Sequence, residues 1–314
     1  MGMSLASPDG VQAQEPRPSR LAPLRHVVST TRLQNAVVGS MLGLMTWPVG
    51  PGFPAIDIDT SWIVGLHLAA QQRLQFGHDI AFTFGPLGFL GYSQPYLGWT
   101  SALALAFVGG VHIAVCISLF HLARQALGTV RALVFVFLTA GFLPVIAGWL
   151  LYGVLVFIAA AAAVLRHGER PTGSWFALGM GLAAAVACLG KLSVGAESLV
   201  ICTVAVGLTA REPRRSFCMF LASFGFFFLG LWLALGGSLW DIPAYVRAAY
   251  EVSLGYSESM GLPATRWIAD LSVMSGIILA SLLLKRSAES SRRDRFAGRW
   301  SRSQPACWAW GRRR

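Results

Sequence analysis

Ala132–Leu165, ALVFVFLTAGFLPVIAGWLLYGVLVFIAAAAAVL, runs for 34 residues without a charge. As a single helix it would extend about 50 Å at 1.5 Å per residue, whereas one bilayer crossing takes about 20 residues. Gly141, Pro144 and Gly148 interrupt it, and a proline inside a helix removes a hydrogen bond and clashes with the preceding turn. The stretch therefore reads as two short membrane spans that meet near Gly148-Trp149. That choice sets on which side of the membrane every later segment falls.

The same reasoning extends outward in both directions. Ser174–Leu208 is again too long for one crossing and is broken at Gly190–Glu197, GKLSVGAE, so it reads as a hairpin of two spans. A first span over Gln34–Phe53, with Pro48 and Pro51 near its outer end, and a second over Thr100–Ala123 precede these four. Phe217–Leu239 and Trp267–Leu284 follow. Only 12% of the chain is charged, about half the share of a soluble protein, and the mean hydropathy is +0.59. In lipid each crossing must satisfy its own backbone hydrogen bonds, which a helix does. The expected fold is all-α: a polytopic transmembrane bundle of about eight spans over residues 34–286. Outer loops fall at 54–99 and 241–266. A disordered basic cytoplasmic leader (1–33) precedes the bundle and a basic cytoplasmic tail (287–314) follows it.

Charge supports that parse. With the N-terminus inside, 21 of the 25 lysines and arginines lie in inner segments, leaving Arg73, Lys191, Arg247 and Arg266 outside. An excess of basic residues marks the cytoplasmic side. Reading 132–165 as one span would move Arg166 and Arg170 outside and spoil the pattern. The net charge of +11 is thus spread as short clusters between apolar runs. Nucleic-acid binding would instead gather basic residues on one surface, so no nucleic-acid partner is expected. The expected location is a plasma or inner membrane, with both termini cytoplasmic and the active face outside. Four of the five cysteines lie in apolar segments without metal-ligand spacing and read as small packing residues. The tail ends in Cys-Trp-Ala-Trp-Gly-Arg-Arg-Arg, unlike the rest of the chain. Two readings stand for it: an out-of-frame or truncated end, or a basic segment held near anionic lipid.

Chemistry concentrates in Ile56–Tyr92, IDIDTSWIVGLHLAAQQRLQFGHDIAFTFGPLGFLGY. Asp57 and Asp59, two apart in an extended segment, would point the same way roughly 6.5–7 Å apart. Such a pair can act as a base or share a divalent cation, Mg or Mn; Asp59 or Thr60 can equally be a helix cap. Thr60–Phe76 reads as an interfacial juxtamembrane helix. Trp62, Ile63, Leu66, Ala69, Ala70 and Leu74 would lie on its apolar face, Ser61, His67, Gln71, Gln72 and Gln75 on the other, with Gly77 as its stop. His78 and Asp79 follow as ligand-orienting candidates, with a turn-capping role for Asp79 as the alternative. His67 and His78 lack a third metal ligand at suitable spacing. Lys191 at the hairpin tip can contact a lipid phosphate or simply reach to the headgroups, with Glu197 as a potential partner. In the last outer loop, Tyr245–Glu251 reads as a short interfacial helix, and Gly255-Tyr256-Ser257-Glu258 as a turn whose Tyr256 and Glu258 can help cover a sugar or phosphate.

Asp57-Ile58-Asp59 outside the first span, the juxtamembrane helix, Phe76-Gly77-His78-Asp79 and Gly85-Pro86-Leu87 together resemble the GT-C superfamily. Its members are polytopic glycosyltransferases, including protein mannosyltransferase-like and aminoarabinose-transferase-like enzymes. The resemblance implies transfer of a sugar from a polyprenyl-phosphate donor at the outer face, with Asp57 or Asp59 as catalytic base or metal ligand. Many members carry a Lys-Pro-Pro-Leu turn whose lysine faces the lipid phosphate. Here Phe84-Gly85-Pro86-Leu87 stands in its place, without a lysine, so phosphate binding either comes from elsewhere or does not occur. The rival expectation is a non-catalytic membrane protein, either a carrier of lipid-linked sugars or a degenerate fragment of such an enzyme.

Overall fold

The computed structural model describes residues 22–47, 58–94, 97–142, 148–166 and 172–260, of which 22–30, 58–60 and 256–260 are described by backbone alone. The fold is helical: α1 (Ala22–Met45), α2 (Ile58–Gln72), α3 (Trp99–Leu127), α4 (Thr129–Phe142), α5 (Gly148–Arg166), α6 (Ser174–Gly190), α7 (Leu192–Thr209), α8 (Pro213–Ala234) and α9 (Asp241–Met260), with a 3-10 turn at Gly88–Gly91. Four of these, α3, α5, α7 and α8, are long and apolar enough to cross a membrane, while α4 and α6 are shorter apolar helices. The protein is an integral membrane protein by that measure.

Contacts between the helices define two ends of the bundle. In α1 and α3, Gly39 lies against Ile117 and Gly43 against Ile113, so the two run antiparallel. At one end, Arg124 of α3 donates to Asn35 of α1, Arg166 of α5 meets His121 of α3, and the Thr172 and Thr209 hydroxyls meet at 2.9 Å. This basic end also receives Arg211, Arg214 and Arg215 from the α7–α8 turn. At the other end, Trp149 of α5 donates its indole N–H to the Gly88 carbonyl at 3.0 Å, and Tyr245 of α9 donates to the Cys188 carbonyl of α6 at 3.1 Å. We call this the loop end.

Close packing holds the helix pairs. Gly181 of α6 sits against the backbone of Phe220 and Phe224 in α8, and Ser223 of α8 donates its hydroxyl to the Leu178 carbonyl at 2.8 Å. Ala177, Gly181 and Ala185 recur every four residues on that face of α6. Small residues at this spacing let two backbones approach, which matters where lipid offers no hydrophobic drive for association. The largest apolar cluster lies at the loop end, around Trp149, Leu189, Trp232 and Tyr245 with Leu66, Phe84 and Phe89 of the first loop.

Several boundaries differ from the sequence reading. The first helix begins at Ala22, inside the segment read as leader; Pro23 is its second residue, a position where the missing N–H costs nothing. The Gly190–Glu197 break narrows to one extended residue, Lys191 (φ −144°, ψ 119°), so Glu197 lies within α7. The last loop holds one 20-residue helix, α9, in place of a short helix and a turn. Pro243 is its third residue, again in the first turn. Gly255–Glu258 is therefore helical, not a turn. Asp57, the Pro144 break, the span expected at Trp267–Leu284, and the tail all lie outside the described residues.

Candidate functional site

The loop end is assembled from three parts: the first loop, the Lys191 break and the start of α9. The loop begins with α2, which ends in a Schellman-type turn in which the Leu74 N–H bonds the Ala69 carbonyl at 3.0 Å. Arg73 adopts the left-handed conformation (φ 55°) that closes it, at a cost of about 1 kcal/mol for a residue with a Cβ. The helix stop is thus Arg73, four residues before the glycine that the sequence suggested. Gly77 (φ +92°) instead serves the next turn, where a Cβ would meet the Asp241 carbonyl and the Tyr245 amide. That close approach seats Phe76–Asp79 on the first turn of α9.

Within the turn, Asp79 is held twice. One carboxylate oxygen accepts the Gln75 N–H at 2.9 Å and the other lies 2.8 Å from Nδ1 of His78. The Gln75 hydrogen bond, then His78, lower the Asp79 carboxyl below its ordinary value, and Asp79 raises His78 with a smaller contribution from Asp241. Asp241 is the first residue of α9, and its backbone carbonyl lies against the Gly77 turn. An acid just inside a helix N-terminus is stabilised by the helix dipole, and that position was the sequence signal for it.

The Gly85-Pro86-Leu87 turn is docked on the carbonyls that end α6. Gly85 N–H bonds the Gly190 carbonyl at 3.2 Å, Leu87 N–H bonds Leu189 at 2.9 Å, and Leu192 N–H returns to Thr83 at 3.1 Å. The last carbonyls of a helix have no partner within it, so a loop that supplies N–H groups is held by their need for one. Phe84 and Lys191 thereby pair as an isolated antiparallel bridge. The Lys191 ammonium lies 5.2 Å from the centre of the Phe84 ring, within cation–π range. Trp62 of α2 stacks on the same ring at 5.1 Å and meets Tyr92 edge-on at 5.0 Å. Lys191 is half-buried; burial lowers its ammonium below the ordinary value and the charge of Glu197 offsets part of that. No carboxylate among the described residues lies within ion-pair distance of it. Glu197 is exposed on α7.

Beside the turn is an apolar groove of about 500 Å³, lined by residues including Leu74, Pro86, Leu87, Trp99 and Leu103, with Arg73 as its charged member. Trp99 and Leu103 are exposed, so the groove opens at the outer edge of α3. Neither Asp79 nor Lys191 lines it. The structure therefore gathers Asp79, His78 and Lys191 at one end of the bundle, linked through Tyr245, without placing them around one cavity. Asp59 is the second residue of α2, and Tyr256 and Glu258 lie in the last turn of α9; their side chains are outside the described residues, as is all of Asp57. Among the described residues, no three histidine, cysteine or acidic side chains stand together as metal ligands.

His67 departs from its expected place on the polar face of α2. It is fully buried and packs edge-on against Phe89. Its Nε2–H donates to the Tyr92 carbonyl at 2.6 Å, and Nδ1 is buried without a hydrogen-bond partner. Burial lowers its pKa from the ordinary 6.5. The unfolded chain then binds the proton more readily than the folded one, so this contribution to stability is complete above pH 6.5 and is lost as pH falls from there to the lowered value. The melting temperature of the purified protein should fall between pH 8 and pH 5.5. It should fall less in His67→Gln, whose amide can keep the bond to Tyr92. An equal fall in both would remove His67 as the cause.

Compared with protein-family models, curated proteins and solved structures, the chain matches none.

Proposed function

We propose that the chain is a membrane glycosyltransferase that moves a sugar from a polyprenyl-phosphate donor to an acceptor hydroxyl at the outer face. The observation that carries this reading is the union of the Phe84–Leu87 turn with Lys191. A turn of the resembling family would hold its own lysine towards the lipid phosphate. Here the turn has none, and the α6–α7 break brings to its first residue an ammonium that no carboxylate among the described residues pairs with. The groove beside Pro86 and Leu87 would take the first isoprene units, with Arg73 near the phosphate.

In the reaction, a carboxylate of Asp57 or Asp59 takes the proton of the acceptor hydroxyl. The acceptor oxygen then bonds to the anomeric carbon as that carbon's bond to the phosphate oxygen breaks. The bonding pair leaves on the phosphate, where the Lys191 ammonium stabilises the added charge. Asp79 with His78 would orient the sugar or acceptor, and Tyr256 and Glu258 would lie over it from α9. A divalent cation held by Asp57 and Asp59 would bind the phosphate; the transfer as written uses the chain's own groups.

The topology that goes with this reading has eight spans, with the basic end cytoplasmic and the loop end outside. The arginines of the α1, α3, α5 and α8 ends support that side for the basic end. The test is release of free polyprenyl phosphate from a polyprenyl-phosphate sugar by the purified protein. Asp57→Asn and Asp59→Asn are each expected to lower release by roughly 10²-fold or more, the scale of a lost general base, with membrane insertion unchanged. Full release in both variants would take the pair out of the mechanism. Tight binding without any release would leave the carrier reading in its place.

A further inference from the structure

At the basic end, α1, α3 and α5 bring together a side-chain cluster that is short of acceptors. Asn35 is buried, 4% exposed. Its amide oxygen accepts from Arg124 Nη1 at 2.5 Å, which turns its NH2 towards His121 Nδ1 at 2.9 Å. His121 Nδ1 is therefore the acceptor, and the neutral ring carries its proton on Nε2. Yet Nε2 faces Arg166 Nη2 and the Gln125 amide. Gln125 can turn its oxygen inward, but a guanidinium has only donors. The ion pairs among the described residues all lie elsewhere, at His78–Asp79, Arg215–Glu212 and Arg247–Glu251.

We infer that this cluster is an anion site that takes a phosphate group at the membrane surface, from a lipid headgroup or free in solution. Arg124 and Arg166 reach the Asn35–His121 pair from α3 and α5, and no carboxylate among the described residues pairs with either guanidinium. Guanidinium groups match phosphate oxygens in pairs. The site lies where α3 and α5, both long enough to span, end together, which is the depth of a lipid headgroup. It is at the opposite end of the bundle from Lys191 and stands independently of the transferase reading.

The test is native mass spectrometry of the full chain released from vesicles of equal phosphatidylglycerol and phosphatidylcholine, with thermal melting in inorganic phosphate as a second arm. Phosphatidylglycerol should be retained in preference, and Arg166→Gln should reduce its retention about tenfold, the loss of one charge-assisted hydrogen bond to the headgroup. Arg166→Lys should keep most of it, and Arg214→Gln, at the same end but outside the cluster, should leave it unchanged. Retention without any stabilisation by inorganic phosphate identifies a lipid headgroup as the source; stabilisation that Arg166→Gln removes shows that free phosphate also binds. Equal retention of the two lipids, or equal losses in Arg166→Gln and Arg214→Gln, would overturn the proposal. Because the preference is read first on the unaltered chain, a variant that fails to fold does not rescue the idea.

Discussion

Methionine in place of Lys191 is expected to lower sugar transfer by roughly 10²-fold, the scale of removing one preorganised charge from a transition state, while the bundle remains folded. Methionine keeps an unbranched stem against Phe84, and the bridge between residues 84 and 191 is made by backbone atoms that the substitution does not touch. What it removes is the ammonium. Because negative charge grows on the phosphate as the anomeric bond breaks, the loss should fall mainly on kcat, with a smaller rise in KM for the lipid donor. Lys191→Arg should recover part of the rate. The check is release of polyprenyl phosphate alongside a melting curve. A variant that melts like the parent and transfers at the parent rate would remove Lys191 from the site.

The second large effect is on stability. Gly181→Leu should destabilise the bundle by about 3 kcal/mol or prevent its assembly, the upper range for overpacking a tight interface. Even a Cβ at this position would meet the Phe220 carbonyl at 2.6 Å and the Phe224 amide at 2.8 Å. Both are backbone atoms of α8 and cannot swing aside. Two residues earlier, Gly179 has open space at its Cβ position. Gly179→Ala should be neutral or stabilise by up to about 1 kcal/mol, since alanine loses less backbone freedom in a helix. Thermal or denaturant unfolding in detergent, read by helix content, checks both. Similar behaviour of the two variants would mean that the α6–α8 contact does not hold the fold.

The contrast between these two glycines shows what could be read from the chain alone. Apolar run length and charge placed the helices, because each crossing answers to lipid and to its own backbone. The split of 174–208 at Gly190-Lys191 was legible from the polar break. Which face of α6 meets α8 was not, because a helix apolar on every side carries no direction. The same blindness hid His67: its spacing placed it with the glutamines of α2, but the Tyr92 carbonyl, 25 residues away, offered a partner inside. The extent of α9 was missed because its charges and tyrosines resemble a solvated loop. In the site, the residue types were legible, and His78, Asp79 and Lys191 lie at one end of the bundle. The contact between Phe84 and Lys191 joins positions 107 apart, and no local pattern announces a contact that long.

Trp149 has a consequence for how the molecule is made. Its indole is wedged beside Gly91 and Gly190 and bonded to Gly88, and the turn preceding Gly88 bonds to Leu189 and Gly190. The ribosome delivers the first loop long before either partner exists. Until Trp149 and then the end of α6 have emerged, that loop has no fixed register and must wait at the surface as an unfinished hairpin. A nascent chain arrested before Leu189 should therefore leave residues 83–92 open to protease, and one arrested some tens of residues later should shield them. Among the described elements, the loop end would mature only once α6 is complete, although its first loop is translated before α3.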